Sequence, residues 1–228
     1  MKKYLFPILS VILVVGMATI VWATVMGTYH EIASEPCAVC HTPHSGSGDY
    51  PLWNRTQAPQ TWTVYDSISF DMGPANNPPR SPSSLCLVCH NGVFSSLVNY
   101  PGPCSVTDAQ YDVEIAGCTD LGTDLMDDHP VSFDYYPNYD VDGNNFPPAI
   151  NISLSPTRTR YVIPGTTADY FLYAESAATA SANGWFECAT CHSVHDLATY
   201  PGKGDYQVYF LRADNTSSQM CRDCHTLR

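Results

Sequence analysis

The sequence predicts a coil-rich fold: short helices at four Cys-x-x-Cys-His motifs, a few short β-strands between them, and a core organised around whatever those motifs hold. Three observations predict it. The 228 residues include 18 Pro and 14 Gly, which break helices and favour turns, so long helices have little room. Runs of β-branched and aromatic residues are short and bounded by these breakers, as isolated strands or hairpins are. The ten Cys and eight His are placed with a regularity that side-chain packing does not require.

Length and charge narrow the function. A chain of 228 residues is one domain or at most two small ones. Its formal charge of −12 argues against a nucleic-acid binder, which needs a basic face to neutralise phosphates. Residues 1–23 read as a secretory signal peptide. Lys2 and Lys3 form a basic start, Leu5 to Val21 is apolar apart from Ser10 and Thr19, and Val21-Trp22-Ala23 offers a small-residue cleavage site. An uncleaved anchor is the rival reading, since Tyr4 to Met26 is long enough to span a bilayer. Cleavage after Ala23 removes two of the 10 basic side chains and none of the 22 acidic ones, so the charge falls from −12 to −14. No Cys lies near the cut for a lipid anchor, and no long apolar run follows Met26. The mature chain is therefore expected to be secreted, extracellular or at the cell surface, without a membrane span.

Eight of the ten cysteines form four pairs: Cys37/Cys40, Cys86/Cys89, Cys188/Cys191 and Cys221/Cys224. Each pair is followed at once by a histidine, His41, His90, His192 or His225. The pairs alone could ligate zinc, form disulfides or act as redox dithiols. None of these explains a His after every second Cys when only eight of 228 residues are His. Cys-x-x-Cys-His is the attachment sequence of c-type haem. The two thiols bond the vinyl groups as thioethers, and the adjacent imidazole reaches the iron from one face. Four copies in an exported chain predict four covalent haem c groups. About 205 mature residues leave about 50 per haem, so the macrocycles supply much of the apolar core. The expected fold class is a coil-rich multihaem cytochrome, with short helices at the motifs, a few short strands and a haem-stack core.

Four histidines remain, His30, His44, His129 and His195, and four irons need four distal ligands. His44 and His195 each follow a proximal His by three residues, in Cys-His-Thr-Pro-His and Cys-His-Ser-Val-His. At that spacing the two imidazoles project to nearly the same side. His44 therefore cannot cross to the far face of haem I, nor His195 to that of haem III, and each is expected to reach a neighbouring haem. His129 lies in Asp127-Asp128-His129-Pro130, with Asp124, Asp127 and Asp128 read as a solvated face. Met126 and Met220 have no motif to recommend them as competing ligands. The expected ligation is His/His at all four irons, low-spin and closed to substrate.

Residues 24–228 are read as a single tetrahaem domain: 24–100 with haems I and II, 101–184 as a haem-free insertion, and 185–228 with haems III and IV. The insertion holds β-rich runs at 131–136, 151–154, 160–163 and 170–173. Cys104 and Cys118 read as a disulfide closing a loop of about 15 residues, worth about 3 kcal/mol in the chain-entropy model. Asp140-Val-Asp-Gly-Asn-Asn145 resembles a calcium loop, but its Gly comes too early and Asn151 stands where a bidentate Glu belongs, so a polar turn is preferred. Asn54, Asn151 and Asn215 begin glycosylation sequons.

A family comes into view in the order of these segments. Cys37-Ala-Val-Cys-His-Thr-Pro-His44, Pro51-Leu-Trp-Asn-Arg55, Cys86-Leu-Val-Cys-His-Asn-Gly92, Asp128-His-Pro-Val-Ser-Phe133 and the final Cys221-x-x-Cys-His225 together resemble exported tetrahaem cytochromes of the OmcE type, which polymerise into extracellular filaments. The resemblance covers most of the mature chain, least so 140–184. It implies a continuous stack of bis-His haems along a homopolymer, one axial His donated across the subunit interface, and electron exchange with redox partner cytochromes and extracellular acceptors. His44 is the first candidate for that trans-subunit ligand, as it cannot serve haem I and lies near the mature N-terminus; His30 is the second. A multihaem reductase would need an open or Lys-ligated iron. The chain has no Cys-x-x-Cys-Lys, so an electron-transfer protein rather than an enzyme is expected. A monomeric periplasmic or surface shuttle would need the same ligand count.

Overall fold

Among the described residues, every Cys-x-x-Cys pair lies on or beside a short helical segment. The computed structural model describes residues 25, 30, 35–47, 52–56, 59–70, 72, 75–92, 121–135, 146–155, 158–166, 168–173, 184–195, 210–213 and 215–225. A 3₁₀ turn covers Pro36–Val39, and α-helices cover Ser83–His90 (α1), Cys188–Cys191 (α2) and Gln219–Cys224 (α3). One Cys-x-x-Cys pair therefore lies on or at the end of each of these four segments, and a further 3₁₀ turn at Thr216–Ser218 leads into α3. Pro36 opens the first turn, where its fixed φ suits a helix start and its missing N–H costs nothing. The signal-peptide residues 1–23, the Cys104–Cys118 pair and the 140–145 turn lie outside the described residues. Among the described residues no helix is long and apolar enough to cross a membrane.

The strands fall between the second and third motifs. Ile150–Ser155 (β2), Arg158–Pro164 (β3) and Asp169–Phe171 (β4) form an antiparallel sheet in the order β2-β3-β4. Val162 faces Ile150 on one side and Phe171 on the other, and Ile163 pairs with Tyr170. A central strand buries its β-branched residues, and Val162 and Ile163 are both wholly buried. Two short strands, Phe133–Asp134 (β1) and Trp185–Phe186 (β5), pair antiparallel just before the third motif.

The main buried cluster joins Phe133, Tyr135, Ile163, Tyr170, Leu172 and Phe186, with Cys191, Cys224 and Met220 packed against it. The sheet is tied to the fourth motif by polar contacts as well. Asp223, inside Cys221-Arg-Asp-Cys224, accepts hydrogen bonds from Thr166 Oγ1 and Tyr170 Oη, both at 2.6 Å, and from Gln219 Nε2 at 2.8 Å. Burial works against its charge, but these donors outweigh it and hold the carboxyl below its usual range.

Candidate haem sites

The described residues include every candidate ligand and attachment residue. None of the eight motif cysteines is in a disulfide. The thiols of successive motifs act on one another. Cys40 is pushed up to about 11, first by burial and then by the neighbouring Cys89, which places the first motif beside the second. Contact between Cys86 and Cys188 raises the former and lowers the latter, joining the second motif to the third. Burial, followed by Cys191, pushes Cys224 up to about 12, joining the third to the fourth.

The imidazoles meet in pairs. Ring centroids lie 6.2 Å apart for His30 and His90, 5.8 Å for His41 and His195, and 6.3 Å for His129 and His225. Each pair joins a motif histidine to a histidine outside the motifs. Two imidazoles on opposite sides of one metal, with metal–nitrogen bonds of about 2 Å, put their centroids about 6 Å apart. The residues present therefore fit bis-His haem iron. The thioether cysteines would hold the macrocycle, and His30, His195 and His129 would face the irons of His90, His41 and His225. The remaining proximal and distal candidates, His192 and His44, are both exposed.

Local chemistry prepares these rings for ligation, which takes the neutral imidazole. Burial, then His90, His195 and His192, lower His30 to about 4, and the ring stacks on Phe210 with centroids 4.5 Å apart. Partial burial and the adjacent His195 lower His41. His129 Nδ1 lies 2.9 Å from Pro130 O, an acceptor only, so Nδ1–H donates and Nε2 keeps the lone pair that an iron would take.

Other residues around the motifs escaped the sequence reading. Asn54 Nδ2 donates to Ala38 O and Arg55 Nε to Val39 O, both at 2.8 Å, so two side chains brace the first Cys-x-x-Cys loop from within. Both are 1% exposed, which closes the Asn54 sequon to a glycan. Their segment carried a signal only as part of the family resemblance. Glu187, wholly buried beside Cys188, accepts from Ser83 Oγ at 2.5 Å and Ser132 Oγ at 2.8 Å. It thereby links the third motif to α1 and to the loop after His129. No spacing rule announces such a contact.

No protein-family model and no curated protein matches the chain.

Proposed function

We propose that the protein is an exported electron-transfer protein holding four covalent c-type haems with bis-His ligation. The observation that supports this most is the pairing of His90, His41 and His225 with His30, His195 and His129 at centroid separations of 5.8–6.3 Å. Haem, when bound, supplies a one-electron couple at iron. The cysteine pairs would attach it, and the paired imidazoles would hold the iron and keep substrate from it. Thiols that act on one another from motif to motif suit transfer between several centres rather than chemistry at one. The purified protein should carry four haems by mass and by pyridine haemochrome, with low-spin spectra. A high-spin EPR signal that responds to nitrite or hydroxylamine would overturn the closed-iron reading in favour of a reductase.

The resemblance to OmcE-type cytochromes extends the proposal to a homopolymer that delivers electrons to extracellular acceptors, with His44 as the ligand donated between subunits. Electron microscopy of native protein should show filaments; discrete particles alone would indicate a monomeric shuttle. His44→Ala is expected to abolish assembly and to leave one five-coordinate haem per subunit. Filaments with unchanged spectra would refute that assignment.

A further inference from the structure

Residues 37–44 and 188–195 repeat one another in sequence, and with 52–54 and 210–212 they repeat one another in backbone hydrogen bonding. Cys37-Ala-Val-Cys-His-Thr-Pro-His44 matches Cys188-Ala-Thr-Cys-His-Ser-Val-His195, with a hydroxyl residue after each motif His. The hydrogen bonds match as well. Thr42 N–H donates to Leu52 O at 2.8 Å, and Ser193 N–H to Phe210 O at 2.7 Å. Asn54 N–H donates to Cys40 O and Arg212 N–H to Cys191 O, both at 2.9 Å. Each motif His sits on an isolated antiparallel bridge, His41 with Trp53 and His192 with Leu211. Asn54 Nδ2 and Arg212 Nε both reach the alanine carbonyl inside the cysteine loop, Ala38 O and Ala189 O, at 2.8 Å.

Backbone strain recurs at the same place. Leu52 has φ 63° and Phe210 φ 54°, a left-handed conformation that costs a non-glycine residue about 1 kcal/mol or more. Strain at equivalent positions of two clasps, with matching bonds on either side, marks one structural unit used twice. In both copies the motif His and the His three residues later are exposed.

The second copy already places its outer histidine on the first: His195 lies 5.8 Å from His41. We propose that the two copies exchange distal ligands, so that His44 completes the iron held by His192 as His195 completes the iron held by His41. This exchange rests on the four-haem reading above and adds to it the iron that His44 serves. The ligand chemistry is the same whether His44 belongs to the same chain, which closes the exchange, or to a neighbouring copy, which propagates it.

The test begins with haem-loaded His44→Met protein. Sulfur in place of imidazole converts one haem to His/Met ligation, with a red-edge charge-transfer band and a raised potential. That signal should vanish when Cys188→Ser and Cys191→Ser remove the third haem, and persist when Cys37→Ser and Cys40→Ser remove the first. An unchanged spectrum in the Met variant, or the reverse dependence, overturns the exchange. Should these variants not fold, a side-chain-resolution structure of the haem-loaded wild-type protein decides the same question. His44 on the iron of His192, from either chain, upholds it; His44 on another iron or on none overturns it. Fewer than four haems would refute the electron-transfer reading itself, whereas four bis-His haems with His44 elsewhere would refute only the exchange.

Discussion

Glu187 shows what a single side chain contributes beside a haem motif. It is wholly buried, two serine hydroxyls point at Oε2, and among the described residues Oε1 has no hydrogen-bond partner. Burial raises its pKa from 4.5 to about 8, against the pull of those hydroxyls and of Arg80. The folded chain therefore keeps a proton there that the unfolded chain releases above pH 4.5, and between 4.5 and 8 folding binds the extra proton. Stability from this group is complete below that window and is lost as pH rises through it, at about 1.4 kcal/mol per pH unit at most. Urea denaturation between about pH 5 and pH 8 should show that decline, and Glu187→Gln should remove it. A slope that survives the substitution would assign it to other groups. Asn54 offers a pH-independent counterpart. Its amide is buried against Ala38 O, so Asn54→Ala should cost about 1–3 kcal/mol in the same assay by stranding that carbonyl.

At the scale of elements, the turn between β3 and β4 ties the sheet to the fourth haem motif. A Cβ at Gly165 would collide with Ala168 O and the Tyr170 ring and come within 2.8 Å of Asp223 Oδ2. Gly165→Ala should therefore push the turn off α3 and cost about 1–3 kcal/mol, read as a lowered Tm and faster proteolysis of the sheet. The sheet itself was legible, since β2, β3 and β4 overlap the β-rich runs at 151–154, 160–163 and 170–173. The residues after each motif were not. Reading His44 and His195 at helical spacing assumed that the helix continues past the motif. In the structure it ends with the cysteine pair, and His192 is extended at φ −110° and ψ 143°. The next N–H groups, on Thr42 and Ser193, bond Leu52 and Phe210 instead. A local period cannot show a clasp made by residues 10 and 17 positions further on. That His195 faces His41 rather than His192 follows from this clasp and not from the helical spacing.

At the scale of the molecule, composition and ligand count lead to the same proposal by different routes. Four motif histidines and four others were legible as a stoichiometry, but which imidazole meets which depends on contacts spanning as many as 154 residues, from His41 to His195. No pattern within a single segment contains that information. Charge, by contrast, acts without regard to such detail. On the proposed reading, the formal charge of −12 would deepen with loss of the basic signal segment and again with haem propionates. Filaments built from such subunits repel one another over the Debye length, about 30 Å at 0.01 M salt and about 8 Å at 0.15 M. In the proposed filament, assembly would depend on ligand bonds at iron and resist screening, whereas contact between filaments would not. Raising the ionic strength across this range should therefore leave filament length unchanged while filaments gather into bundles, seen by electron microscopy and as increased light scattering. Filaments that shorten as salt rises, without bundling, would mean that ion pairs rather than ligand exchange hold the subunits together.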